Sequence, residues 1–581
     1  MWMQDYAPVA QSVLLSALVA GIPLYVLFYL LAVRHRPAHW AGLAALASAL
    51  LAATVVFGMP VALAVDAALM GGAFALFPIV WIVVNALFLY RLTVVAGRFE
   101  AIRESVAALS EDQRIQALVI AFCFGALIEG IAGFGTPVAL SAAMLVGVGF
   151  GPHTAVVLSL LANTAPVAYG NLGIPIISLA GVTQPFLAVP RDPLTLGLSA
   201  MVGRQVPLLS FLVPFLLVAV IAGWRGLRAV LPAALVAGGA FSVTQFLVSN
   251  LLGPVLADVL AAIVSLLALV ALLRLWQPAR PWRAMPLASA AVGAAPTGAP
   301  SGLPGIEVPV ARPERTDPRP MTFGEVVGAW LPFIVLVVAI VVGSLEPVAR
   351  LLDTVTIRLP WPGLHNQVSK APPIVAPEQV ATSAALYPAI YLFDWLKSAG
   401  TLTLLAALLV AALLRVRPRQ AARLYVDMVT ALRWPIVAVL SVLALAWVMN
   451  YSGMTVSLAL LFTITGPLFP FFASFIGWLG VFLTGSDTAS NNLFGGLQVI
   501  VAQQLNLPPL LTAATNSSGG VTAKMISPQN LVIGAGVVGI AGSEGVILRR
   551  TILWSLALGG LIGILAMVQA YLLPAVLPSL G

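Results

Sequence analysis

The chain of 581 residues is 61% hydrophobic and only 8% charged, with a net charge of +8 and a single cysteine. Soluble domains carry about 25% charged residues, so this composition, with many apolar runs of bilayer-spanning length, excludes a soluble fold and predicts an all-α polytopic membrane protein. The long continuous runs exclude a β-barrel built from alternating segments of about ten residues. The lone Cys123 excludes a disulfide framework or cysteine metal cluster, and the positive balance is assigned to cytoplasmic arginine loops rather than nucleic-acid binding.

A first span, Val9–Val33, ends at Arg34-His35-Arg36; a cytoplasmic basic cluster there puts the N-terminus outside. Met1-Trp2-Met3-Gln4-Asp5 lacks a basic region and the run after it is span-length, so no cleavable signal is expected. Trp40–Phe57 returns outward, Pro60–Leu76 reads as an interfacial arm containing Asp66, and Phe77–Val95 leads to Arg91, Arg98, Arg103 and Arg114 on the inside. Residues 115–150 are too long and apolar for one span and are interrupted by Glu129-Gly130-Ile131-Ala132-Gly133-Phe134-Gly135-Thr136-Pro137, which predicts a first re-entrant hairpin. Residues 152–180 carry Asn163-Thr164-Ala165-Pro166 and Gly170-Asn171-Leu172-Gly173-Ile174-Pro175 mid-span. Proline removes a backbone donor and glycine destabilises helix, so a broken helix is expected there. Spans near 195–222, 228–250 and 253–275 complete an N-terminal half, 1–275.

Residues 276–320, rich in Pro, Ala, Gly and Arg without periodicity, read as a flexible cytoplasmic linker. The C-terminal half, 321–581, opens with a span at Phe323–Leu345 and an ordered, proline-rich external segment, 346–395. Leu396–Leu414 runs inward to Arg415, Arg417, Arg419 and Arg423, and amphipathic Arg419–Arg433 lies along the membrane surface. Between apolar Phe469–Leu483 and Leu493–Ala502 stands the polar run Thr484-Gly485-Ser486-Asp487-Thr488-Ala489-Ser490-Asn491-Asn492. Each unsatisfied polar group in lipid costs several kcal/mol, so this run must face protein or a watery cavity. It predicts the tip of a second hairpin, 469–505, followed by a second broken helix, 508–542.

The second half repeats the landmarks of the first. Phe77-Pro78-Ile79-Val80 is echoed by Trp434-Pro435-Ile436-Val437; Pro78 precedes Glu129 by 51 residues and Pro435 precedes Thr484 by 49. Gly130 precedes Asn163 by 33 residues and Gly485 precedes Asn516 by 31, while Asn163 to Pro175 and Asn516 to Pro528 are both 12. The arginine loops give the copies opposite orientations. The expected architecture is therefore an inverted repeat with two re-entrant hairpins, two broken helices and about twelve spans, the layout of many secondary transporters.

The two tips and the breaks at Asn163–Ile174 and Asn516–Gln529 should converge into one site. Gly130, Gly133, Gly135 and Gly485 allow close backbone approach, and helix N-termini favour anions. Thr136, Asn163, Thr164, Ser486, Thr488, Ser490, Asn491, Asn516, Ser517 and Ser518 supply hydroxyls and amides, suiting a small carboxylate bearing a hydroxyl. Intramembrane charges are expensive and mark function: Glu129 and Asp487 are candidates for proton coupling, and Lys524 for pairing with an anionic substrate or with Asp487. Arg204 suits either a carboxylate or snorkelling to the membrane surface. No His/Cys/carboxylate spacing suits a metal, no cofactor is implied, and no catalytic cluster points to an enzyme.

Several stretches resemble the bacterial L-lactate permease family: Phe122-Cys123-Phe124-Gly125, Glu129-Gly130 with Ala132-Gly133-Phe134-Gly135, Asn163-Thr164-Ala165-Pro166-Val167-Ala168, Met201-Val202-Gly203-Arg204-Gln205 and Phe393-Asp394-Trp395. The longest are Gly477-Trp478-Leu479-Gly480-Val481-Phe482-Leu483-Thr484-Gly485-Ser486-Asp487-Thr488, Gly519-Gly520-Val521-Thr522 and Lys524-Met525-Ile526-Ser527-Pro528-Gln529; the stretch that departs most is 276–320. The resemblance implies proton-coupled symport of L-lactate, D-lactate and glycolate across the bacterial inner membrane, with a homo-oligomer compatible. Similarity to re-entrant-hairpin ion transporters further implies a scaffold and a moving part of elevator type. A Na⁺-coupled carrier of another small carboxylate is the alternative.

Overall fold

The computed structural model describes residues 1–34, 36–107, 109–133, 135–187, 189–278, 281–283 and 323–578. His35, Phe134 and most of the linker read at 276–320 lie outside the described residues. Eleven helices among the described residues are long and apolar enough to cross a bilayer. Pro152–Ala162 with Val167–Leu187, bent by 63°, brings the number to twelve if the bent pair is one span. Ala399–Leu413, read as a span, is a shorter apolar helix, below the ~20 residues a straight crossing needs.

The outer helices keep large aliphatic side chains on the surface, among them Val55 at 72%, Leu251 at 74% and Leu553 at 74% exposure. Surfaces this apolar suit lipid and not water. Gln113–Ile131 is the opposite case, with 94% of its apolar stretch buried. It occupies the interior although its composition reads as lipid-facing.

The interior is tightly closed by small residues. Helix Phe469–Thr484 crosses helix Pro509–Gly520 so closely that a Cβ at Gly477 would collide with the Asn516 carbonyl, and one at Gly519 with Ser474. Such contacts let backbones approach where no hydrophobic force between helices operates. The segment read as an interfacial arm is helix Val61–Phe74, which packs through Ala64, Ala67 and Gly71 along helix Arg433–Ser452.

The segment 346–395 is ordered. Strand Ile357–Pro360 pairs antiparallel with Ile390–Phe393, Ile357 facing Phe393, and Val368–Ser369 pairs parallel with Trp2–Met3. The N-terminus and this segment therefore share one face of the molecule. Gln4 anchors the strand from below, its Nε2 donating to the Asn450 and Tyr451 carbonyls at 3.0 and 2.9 Å.

Candidate functional site

Four helix interruptions meet inside the protein. The first tip lies between helices Gly125–Ile131 and Thr136–Gly147. The first break follows helix Pro152–Ala162 and contains Asn171 and Leu172 at φ of 50° and 57°, a left-handed conformation uncommon outside glycine. The second tip lies between Phe469–Thr484 and Asp487–Gln504. There Gly485 takes φ of 72°, which would cost an L side chain roughly 1–2 kcal/mol. Ser486 caps the following helix by accepting the Ala489 N–H at 3.3 Å. The second break is the 3-10 turn Val521–Ile526, closed by Ser527 at the start of helix Pro528–Val537.

These elements form a ring of contacts. A Cβ at Gly133 would lie 3.2 Å from Asn171 Cβ, joining the first tip to the first break. Asn491 Nδ2 donates to the Pro175 carbonyl at 3.2 Å, and Ser178 hydrogen-bonds Asn492, joining that break to the second tip. A Cβ at Gly485 would sit 2.6 Å from Gln529 Oε1, and one at Gly135 2.7 Å from Ile533 Cδ1, so helix Pro528–Val537 touches both tips.

The charges lie within this ring. Lys524 Nζ donates to Glu129 Oε1 at 2.6 Å, with 7% and 4% of their side chains exposed. Asp487, one of the two partners expected for Lys524, forms no ion pair or hydrogen bond with it among the described residues. Asp487 instead accepts from Ser517 Oγ at 2.5 Å and Asn491 Nδ2 at 3.3 Å, both through Oδ2. Neutral donors from helix Pro509–Gly520 and from its own helix thus hold it, leaving the ammonium to the other carboxyl.

The candidate hydroxyls and amides divide into two sets. Ser490, Asn491, Asn516 and Ser517 are locked inward: Ser490 Oγ donates to the Gly477 carbonyl, Asn516 Nδ2 to Asn491 Oδ1, and Gln498 Nε2 to Asn516 Oδ1, each at 3.0 Å. Ser486 is a cap, and Thr488 is partly exposed. The second set has no protein partner: Glu129 Oε2, Thr136 Oγ1, both amide atoms of Asn163, Thr164 Oγ1, Asn171 Oδ1, Asp487 Oδ1 and Ser518 Oγ are buried without a hydrogen bond. Buried polar atoms are almost always satisfied by protein or water, so these atoms, gathered at the four interruptions, hold hydrogen-bonding capacity that water or a polar solute can fill. Gly130 is a packing position, since a Cβ there would lie 3.2 Å from Asp258 Cβ. Arg204 stays away from the ring, donating from Nη1 to the Val576 carbonyl at 2.6 Å.

Two buried polar residues, Gln205 and Asp258, were not singled out as site candidates in the sequence. Gln205 donates to Thr515 Oγ1 at 2.9 Å and Gln569 Oε1 at 2.8 Å, tying helix Val206–Ala229 to the second break's supports. Asp258, 1% exposed, accepts from Gln245 Nε2 at 2.9 Å. The available signal was the solitary acid in the apolar run 253–275, the same signal that singled out Glu129.

Residues 16–573 match the L-lactate permease family. The chain is 44% identical to glycolate permease GlcA of Escherichia coli strain K12 over 584 residues, covering all of both chains. It is 40% identical to the L-lactate permease of the same strain over 584 residues, again covering all of both. It is 39% identical to the L-lactate permease of Bacillus subtilis strain 168 over 586 residues, covering 99% of this chain and all of that one. The buried polar ring at the helix interruptions thus sits in a chain that, matched almost from end to end, belongs to the L-lactate permease family.

Proposed function

We propose that the protein imports L-lactate and related 2-hydroxy monocarboxylates, D-lactate and glycolate, together with H⁺ across a bacterial inner membrane. The family and the lactate and glycolate permeases it resembles support the substrate class. The observation that carries the coupling is the buried 2.6 Å pair between Lys524 and Glu129. One ammonium lies in the site, and a lactate carboxylate competes with Glu129 for it. Removing one partner from a buried pair costs about 3–5 kcal/mol because the other charge is stranded. Lactate therefore takes Lys524 only when Glu129 receives a proton, so anion and proton travel together. Asp487, with only neutral donors around it, is the second proton-carrying candidate. Thr136, Asn163, Thr164 and Ser518 bring unpartnered polar atoms for the substrate's carboxylate and hydroxyl.

In this reading the two halves, 1–275 and 321–581, are inverted copies whose hairpins, 115–150 and 469–505, enter from opposite sides, and an elevator movement carries the site between them. Uptake into proteoliposomes tests the coupling. Lactate should accumulate under a pH gradient without Na⁺, and an uncoupler should abolish the accumulation. Accumulation that requires a Na⁺ gradient and ignores pH would replace this reading with Na⁺ coupling.

A further inference from the structure

We infer that Asp258 is a further proton-binding residue of the transport site, whose protonation is tied to the shape of the first break. Asp258 stands in the first turn of helix Ala257–Leu275, packed against Gly130, the neighbour of Glu129. Its Oδ1 accepts one amide N–H from Gln245, and Oδ2 has no partner. No cation is within salt-bridge distance of it among the described residues, which sets it apart from Glu129. An ionised carboxylate held by a single neutral amide is costly. In the ligand-free protein the Lys524 charge offsets that cost, and a second anion drawn to the ammonium removes the offset, so Asp258 then takes up a proton.

The bracket around Asp258 leads to the first break. Gln245 Oε1 accepts from Ser210 Oγ at 2.7 Å, and both Gln245 Nε2 and Ser210 Oγ reach the Ala165 carbonyl, at 3.2 and 3.4 Å. Ala165 lies between the unpartnered Asn163 and Thr164 and the turn Val167–Tyr169. Gln245 Nε2 thus divides its donors between Asp258 and the break. A carboxylate draws that amide more strongly than a carboxylic acid does, so protonating Asp258 releases it toward Ala165.

The titratable groups facing Asp258 are few. Glu129 from the first tip and Lys524 from the second break act on it, as does Tyr169 from the turn inside the first break. Cys123 meets the same helix further along, at Ser265, 3.3 Å from its hydroxyl. Helices Leu231–Leu251 and Gly170–Leu187, which also pack on it, carry no titratable side chain. With lactate bound, the site sets one ammonium, that of Lys524, against Glu129, Asp487, Asp258 and a new carboxylate. The step is a simple protonation: an O–H bond forms at Oδ2 as lactate binds, and that proton leaves to water when lactate is released.

The inference rests on lactate–proton coupling, and the tests separate the two. Isothermal titration calorimetry of the purified full chain, in buffers of different ionisation enthalpy, counts protons taken up per lactate. Asp258→Asn should take up one fewer than the unmodified protein, so its lactate affinity changes tenfold less per pH unit, and Asp258→Glu should restore the count. Where Asp258→Asn fails to bind lactate, infrared difference spectra between low and high pH of the ligand-free protein serve instead. They should lose one protonated-carboxyl C=O band in that variant. An unchanged proton count, or an unchanged carboxyl band, overturns the role of Asp258. Absence of proton uptake in the unmodified protein overturns the coupling itself, while the infrared comparison still reads Asp258.

Discussion

Glu129→Gln tests the competition on which the transport reading depends. The variant keeps the shape of the side chain but no longer supplies the negative charge held 2.6 Å from Lys524. In the proposed exchange lactate displaces that carboxylate in the unmodified protein, and the stranded partner would cost about 3–5 kcal/mol. At 1.4 kcal/mol per decade this is an upper limit of roughly a hundred- to a few-thousand-fold in affinity. Rearrangement of the amide introduced at position 129 consumes part of it, so at least a tenfold tightening is expected. The sign follows from the stoichiometry: an exchange that takes up one H⁺ with each lactate weakens as pH rises, and the variant, with no carboxyl at position 129, weakens by one proton less. Ligand-free Glu129→Gln should also be less stable, with lactate restoring more stability than it adds to the parent. Calorimetric titration at several pH values, with thermal melting in detergent, reads both. Unchanged affinity with an unchanged pH slope would refute the competition, because Glu129 would then be no rival for the ammonium.

Asp487→Asn should lower uphill, proton-driven lactate uptake at least about tenfold while leaving lactate exchange across vesicles measurable; normal accumulation would remove Asp487 as a carrier. Gly485→Val should abolish lactate binding, since its Cβ would fall 2.6 Å from Gln529 Oε1 at φ of 72°, adding about 1–2 kcal/mol of backbone strain; full-strength binding would make the second tip a packing element only. The external segment gives a prediction away from the membrane. Partial burial of Asp353 disfavours its charge, but hydrogen bonds from Thr356 and Arg358 and the nearby Lys397 and Arg358 charges prevail and hold the carboxyl below its usual range. A depressed folded pKa contributes stability that is present above the unfolded value, about 3.9, and lost as pH falls through the folded one. Hydrogen-exchange protection in residues 346–395, taken relative to the intrinsic amide rate at each pH, should therefore fall in acid, and Asp353→Asn should flatten that fall.

Much of this molecule was legible because its signals are local. A run of apolar residues crosses a bilayer wherever it stands in the chain, and glycine, proline and polar clusters interrupt a helix through their own backbone chemistry. Residues 132–135, 163–173, 485–486 and 521–527 could accordingly be recognised as interruptions without knowing what they touch. Lys524 shows where such reading stops. Its presence inside an apolar chain announced a partner, but the partner is 395 residues away, and only packing selects which of two acids reaches it. Asp258 stands at a helix start, where an acid is also ordinary dipole chemistry; its meaning comes from Gly130 and Gln245 pressed against it. Likewise, Ser490 and Asn516 resemble Asn163 and Thr164 in composition, yet the first pair is locked by neighbours and the second is unpartnered.

The order of residues was thus enough to make the chain helical, membrane-spanning and interrupted at a few polar points, because hydrophobic transfer and backbone hydrogen bonding act residue by residue. Which charges neutralise one another, and which buried polar atoms are left without a protein partner, emerged only from the folded arrangement. Those outcomes depend on distances between segments far apart in the chain, and electrostatic and hydrogen-bond energies in a buried site change steeply over an ångström or two.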